Sequence, residues 1–244
     1  MKGLKKNAVV IENLYNFDLR QTLECGQVFR YEKISAHSYS VIAKNKKIKL
    51  TQQPESTTLI IHNITFPEYE EIWKQYLDME TDYNHIIHTI SNNDSNMKKA
   101  TEYGKGIHIL NQDPWEVLIS FIISQNKSIP HIQQCIQNIC KAFGEKVESI
   151  EDEPYYTFPT PKRLGQATEE ELRNCKVGFR APYIMDACQK VLDHTVKLKD
   201  LYHMPTQEAK EMLMKIKGVG EKVSHCVLLF GFKKTDTFPT DVWI

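Results

Sequence analysis

The sequence predicts an α+β protein, a small N-terminal antiparallel sheet domain followed by an all-helical domain. Three observations carry this. Between residues 28 and 64 the apolar residues come in short runs rich in β-branched and aromatic types, broken by polar turns. From Phe66 onward the spacing changes to the helical repeat. Near the C-terminus Ala209, Met212, Leu213 and Ile216 recur at i, i+3, i+4 and i+7, and Val223, Cys226, Val227 and Phe230 repeat that spacing after Lys217-Gly218-Val219-Gly220.

In chain order, strands are predicted at 28–31, 39–43, 48–51 and 58–61, with Gln53-Pro54-Glu55-Ser56 as one of the turns. Connections this short exclude parallel crossovers, so the sheet is antiparallel. Helices follow at 68–77, 84–90, 114–125, 129–143, 168–175 and 181–194, with Gly, Pro or Asn in the gaps. In the helix at 114–125, Trp115, Val117, Leu118, Ile119, Phe121, Ile122 and Ile123 leave almost no polar face, which places it at the centre of a bundle. The expected domains are the sheet domain at 1–82 and the helical domain at 83–244.

Composition narrows the functional classes. Of 244 residues, 41% are hydrophobic and 25% charged, ordinary for a folded protein. Lysine plus arginine equals aspartate plus glutamate at 31 each, so any polyanion site must be local rather than a general basic coat. Six scattered cysteines without a C-x-x-C pair argue for free thiols in a reducing compartment, and no metal is expected. The N-terminus has too short an apolar run for a secretory signal, and the longest apolar stretch, interrupted by Glu116, falls short of the roughly 20 residues of a membrane span. The expectation is a soluble intracellular protein.

The chemistry concentrates after Thr206. Two amphipathic helices joined by a glycine-containing turn can present backbone N–H groups at the second helix's start, a cradle for phosphate. Residues 206–235 hold six lysines (210, 215, 217, 222, 233 and 234) against three glutamates, a local positive excess. Gly218 and Gly220 permit positive φ and the close approach of another backbone. Lys222 sits just inside the second helix, where the dipole's positive end and Lys217 both disfavour a protonated amine, as suits a nucleophile that forms a Schiff base with a sugar carbon. Asp241, nineteen residues on, can stabilise a cationic sugar transition state or cap a helix.

The stretch KGVGEKVSHCVLLF…FPTDVW resembles the helix-hairpin-helix and Gly/Pro-Asp signature of the DNA glycosylase superfamily, and most resembles its 8-oxoguanine branch. ECGQVFRY (24–31), LNQDPWEVLISFIISQNKSI (110–129) and VGFRAPYI (177–184) are similar to that branch's first-strand loop, central helix with its damage-flanking loop, and intercalating loop. The resemblance implies a helix-hairpin-helix glycosylase domain at 83–244, acting on double-stranded DNA that contains an oxidised purine. It implies a bifunctional enzyme: Lys222 attacks C1′ and forms the Schiff base through which the strand is nicked by β-elimination, and Asp241 supports the sugar cation. Gly26 matches the glycine whose carbonyl accepts the N7 hydrogen of 8-oxoguanine, a donor where guanine has an acceptor. Cys226, Phe230 and Pro239 fall on the substrate-binding side, and Lys217, Gly218, Val219 and Gly220 on the DNA phosphate. Because such enzymes flip the base out of the stack, Asn126 would fill the vacated space, Phe179 would wedge, and Arg180 would read the orphaned cytosine. Neither metal nor cofactor is implied; a monomer in the cytoplasm or nucleus, off the membrane, is.

Three residues depart from the family pattern: His131 stands where a second cytosine-reading arginine is usual, Lys127 replaces an asparagine, and Trp243 stands in place of a phosphate-binding histidine. The family also continues past the aspartate with further helices, so the chain reads as truncated at Ile244. Rival readings are the alkylated-base branch, which lacks the hairpin lysine; the endonuclease III branch with its iron–sulfur loop; and a non-catalytic DNA-binding module using the hairpin alone.

Overall fold

The computed structural model describes residues 8–92, 94–148 and 153–240, and divides into two compact units, 1–111 and 112–244.

In the first unit the strands are β1 (Ala8–Ile11), β2 (Tyr31–Ser35), β3 (Ser38–Ala43), β4 (Lys46–Thr51) and β5 (Leu59–His62), in the antiparallel order β1-β5-β4-β3-β2. Strand alternation puts Val9, Tyr39, Val41, Ala43, Ile48, Leu50, Leu59 and Ile61 on one buried face. Cα register pairs Tyr39 with Leu50, Val41 with Ile48 and Val9 with Ile61, so the buried residues stand opposite one another. Helix α1 (Leu19–Glu24) and the helical run α2 (Phe66–Glu68), a π turn (Tyr69–Trp73) and α3 (Lys74–Tyr76) cover that face with Leu19, Leu23, Tyr69, Trp73 and Tyr76. Thr65 and Glu68 form a reciprocal capping box that starts the run two residues before its predicted beginning.

Two strand expectations change. β1, absent from the sequence reading, pairs with β5. The run at 28–31 is not a strand: Val28 and Phe29 are buried, but the ladder with β3 starts only where Ile42 N–H donates to the Arg30 carbonyl, and β2 runs on from Tyr31.

Helices α4 (Tyr83–Ser91) and α5 (Ser95–Tyr103) group with the sheet, so the packing division falls at 111/112 rather than at 82/83. The tie is polar and aromatic. Tyr83 stacks on His108 with ring centroids 3.9 Å apart, donates to Asp78 at 2.6 Å and accepts from Ile109 N–H at 2.8 Å. The ring nitrogens of His108 lie 3.1 Å and 3.0 Å from the carbonyls of Leu77 and Asn16. Burial holds this imidazole below its usual pKa, against the two carbonyls, which favour its charged form.

The second unit is helical: α6 (Pro114–Ser124), α7 (Ile129–Phe143), a two-stranded ladder of β6 (Lys146–Val147) and β7 (Tyr155–Tyr156), α8 (Pro161–Leu164), α9 (Glu169–Asn174), a 3-10 turn (Gly178–Arg180), α10 (Ala181–Leu192), a second 3-10 segment (Leu198–Tyr202), α11 (Thr206–Met214) and α12 (Glu221–Phe232). Asp113 caps α6 by accepting from Trp115 N–H and Glu116 N–H, both at 3.0 Å, and Pro114 occupies the first turn, where it costs no hydrogen bond. From Val117 to Ile123 every residue of α6 is buried, so it is the central helix, as its lack of a polar face predicted. α12 packs along it: a methyl group on Gly231 would lie 3.2 Å from the Pro114 Cα, and the Phe121 and Phe230 rings stack at 5.5 Å.

Candidate active site

The hairpin forms as its periodicity predicts. Ala209, Leu213 and Ile216 on one side of the turn, and Val223, Cys226 and Val227 on the other, are buried and hold α11 against α12. The two glycines have different roles. Gly218 takes φ +78°, and a Cβ there would stand 2.3 Å from the Tyr183 ring, so both backbone and space require glycine. Gly220 is extended at φ −95°, ψ −171°, and a Cβ on it would meet nothing within 4 Å, so it uses neither freedom that glycine permits. As N-cap, Gly220 brings no side chain to the first-turn amides of α12.

Within the predicted phosphate group the donors divide. Lys217 N–H is committed to Asp186 at 2.7 Å and Val219 N–H to the Ile216 carbonyl at 3.1 Å. Of the four residues expected on the DNA phosphate, two thus have their amides committed inside the fold. Some of the lysine excess is also spent inside the fold: Lys234 donates to the Met204 carbonyl at 2.7 Å, and Lys210 pairs with Glu221 at 3.4 Å.

Lys222 is the second residue of α12 and is exposed, while Cys226 and Phe230 follow it at i+4 and i+8, along one side of the helix. After α12 the chain turns through Lys233 in the left-handed region and is pinned by Thr237, whose hydroxyl donates to the Lys234 carbonyl at 2.7 Å. Pro239 is half-buried, and Asp241 and Trp243 lie outside the described residues.

The loop after α6 and the loop before α10 are clamped to each other. Lys127 Nζ donates to the Lys176 carbonyl at 3.2 Å, and the Cys135 thiol reaches the same carbonyl at 3.3 Å. The Arg180 guanidinium donates to the carbonyls of Val177, at 3.1 Å, and of Gln125. Arg180 is only 3% exposed, its Nε has no partner among the described residues, and burial pulls the guanidinium below its usual pKa. A residue read as cytosine-facing is thus turned inward here. Phe179 is 53% exposed and carries the Arg180 guanidinium 4.2 Å from its ring centroid. Asn126, at φ +51°, and His131, whose Nδ1 lies 3.3 Å from the Ser128 hydroxyl, are both exposed. The inward turn of Arg180 has no signature in sequence, because its acceptors are main-chain carbonyls.

In the first unit Gly26 takes φ +88° with open space around a would-be Cβ, so conformation alone asks for glycine. Its neighbours are fixed. Glu24 accepts from Tyr39 Oη at 2.6 Å and Lys33 Nζ at 3.1 Å; burial works against its ionisation, but these hydrogen bonds hold its carboxyl below the usual range. Gln27, 1% exposed, donates to the carbonyls of Thr22 and His108, both at 2.8 Å, and accepts from Leu110 N–H at 3.0 Å. Sequence reasoning missed Gln27; its place inside an otherwise apolar GQVF run was the available signal.

Among the described residues no group of three or more His, Cys, Asp or Glu side chains could hold a metal ion, and no helix is long and apolar enough to cross a membrane.

Comparison with known proteins agrees with this arrangement. Residues 9–118 match the family described as 8-oxoguanine DNA glycosylase, N-terminal domain, and residues 119–244 the HhH-GPD superfamily base excision DNA repair protein. The solved 8-oxoguanine glycosylase/lyase of Clostridium acetobutylicum, in complex with double-stranded DNA containing cytosine opposite 8-oxoguanine, is 37% identical with a TM-score of 0.92, covering 98% of this chain and 81% of that one. An Arabidopsis thaliana N-glycosylase/DNA lyase OGG1 is 30% identical over 91% of this chain and 63% of its own length. A probable N-glycosylase/DNA lyase from Methanothermobacter thermautotrophicus is 33% identical over 62% of this chain and 54% of its own. The chain thus spans between about half and two thirds of the length of these curated relatives. With a sheet unit and a hairpin unit each matched in order over nearly the whole described chain, the protein belongs to the 8-oxoguanine DNA glycosylase family of the HhH-GPD superfamily of base excision DNA repair proteins.

Proposed function

We propose that the chain excises 8-oxoguanine from double-stranded DNA and nicks the strand at the resulting site, without a metal or other cofactor. The observation that carries this is Lys222 exposed in the uncapped first turn of α12, directly after the Gly218–Gly220 turn. Hairpin amides hold the backbone phosphate while the amine reaches the sugar. In the reaction the Lys222 nitrogen bonds to C1′ as the bond from C1′ to the base breaks. Opening of the sugar ring then gives a Schiff base, loss of a 2′ proton breaks the C3′–O bond, and water releases the lysine. Asp241 stabilises the sugar cation that develops at C1′. The Gly26 carbonyl accepts the N7 hydrogen of the oxidised base and repels the N7 lone pair of guanine. Phe179 and Asn126 occupy the gap in the stack left by the flipped base. The protein acts as a monomer, in the compartment that holds its DNA.

The test is borohydride trapping on a duplex containing 8-oxoguanine. A covalent complex is expected with the natural chain. It should be absent from Lys222→Gln, which should still bind duplex because the amide donors do not need the amine. Trapping by the glutamine variant would refute the assignment of Lys222, and duplex binding with no adduct from the natural chain would leave a DNA-binding module.

A further inference from the structure

The inside of the hairpin turn rests on one face of α10. Tyr183, Asp186 and Lys190 lie at i, i+3 and i+7, so they share that face. Each meets a different part of the turn. The Tyr183 ring lies against Gly218, Asp186 Oδ2 accepts from Lys217 N–H at 2.7 Å, and Lys190 Nζ donates to the Lys215 carbonyl. Lys190 and Asp186 also bond each other at 2.8 Å, with side chains only 23% and 12% exposed. This is a partly buried, charge-assisted pair, unlike the exposed pairs that contribute little. α10 also follows without a break on the 3-10 turn that carries Phe179 and Arg180.

We propose that Asp186, locked by Lys190, is the positioning residue that holds the hairpin in its phosphate-gripping conformation, and that α10 thereby joins the grip on the phosphate rigidly to the Phe179 wedge. This rests on the hairpin being the phosphate site. A carboxylate beside a polyanion site is unfavourable unless it is neutralised and structural. Here Lys190 cancels its charge, so Lys190 is not itself a phosphate ligand. Because the carbonyl of Lys215 and the amide of Lys217 are both satisfied from α10, the turn cannot rotate them outward, which fixes the course of the Gly218–Gly220 segment that leads into α12.

The test turns on a sign. Removing a negative charge near DNA strengthens binding if only the electrostatic field matters, whereas loss of the seat weakens it. Affinity for an undamaged duplex is measured by fluorescence anisotropy. Asp186→Ala should bind about tenfold more weakly, the worth of one charge-assisted hydrogen bond. Asp186→Asn, whose amide oxygen still accepts from Lys217 N–H, should fall between the two. Single-turnover nicking of a preformed abasic site at saturating enzyme should fall less than the affinity does, since saturation supplies the DNA that a loosened hairpin binds more weakly. Equal or tighter binding by either variant overturns the proposal, as does a saturating rate that falls as far as the affinity. If the alanine variant does not fold, the asparagine variant decides by the same criteria. Failure of the natural chain to form a Schiff base would count against Lys222 alone, because undamaged-duplex binding tests the α10 seat independently.

Discussion

The side-chain amide of Gln27 donates to the main-chain carbonyl of His108 at 2.8 Å across 81 residues of sequence, beside the glycine expected to read the damaged base. With its bonds to Thr22 and Leu110, this one buried amide fixes the chain on the C-terminal side of Gly26.

Gln27→Met keeps the volume and leaves the His108 carbonyl and Leu110 N–H without this partner, while the Thr22 carbonyl keeps the Cys25 thiol at 3.4 Å. The expected loss is about 2–4 kcal/mol in urea unfolding, since buried unsatisfied polar groups bear their full desolvation cost. On the proposed reading, in which the Gly26 carbonyl accepts from the damaged base, excision of 8-oxoguanine should also fall further than nicking of a preformed abasic site. Unchanged stability would show that the network is dispensable.

His131, at the start of α7, stands where a second cytosine-reading arginine is expected. Arg180 must leave the Gln125 carbonyl to reach an estranged cytosine, and a second arginine is missing. Excision opposite adenine, guanine or thymine is therefore expected to lie closer to excision opposite cytosine than where two arginines read the partner. His131→Arg should sharpen the preference by about 1–3 kcal/mol. The measurement is single-turnover excision from four duplexes, and strict rejection of every partner but cytosine by the natural chain would contradict it.

The two hairpin glycines should respond unequally. Gly218→Ala meets both the Tyr183 ring and a left-handed backbone, so duplex affinity should fall and stability should drop by about 1–3 kcal/mol. Gly220→Ala has open space and an extended backbone, and should cost less than about 1 kcal/mol, the difference between cap residues. Thermal unfolding and anisotropy on both variants check this; equal effects would refute the division of roles.

What the sequence by itself determined is whatever repeats within a few residues. The helix at 129–143 appears with the same ends, because Pro130 marks its first turn and Ile132, Ile136, Ile139 and Phe143 supply its stripe. The hairpin was legible for the same reason, and the recognisable order of four motifs carried the family. Tertiary structure decided what depends on partners distant in the chain. β1 is a strand only because β5, some fifty residues away, offers it a ladder, and Val28 and Phe29 are not a strand because their buried stretch has none. Helices α4 and α5 join the sheet unit through Tyr83 and His108, which periodicity cannot see. Arg180 turns inward onto main-chain carbonyls, and Asp186 reaches an amide 31 residues away. Local period reports which face of an element is apolar; which backbone groups a polar side chain satisfies is set only when distant segments pack and each buried donor must find an acceptor.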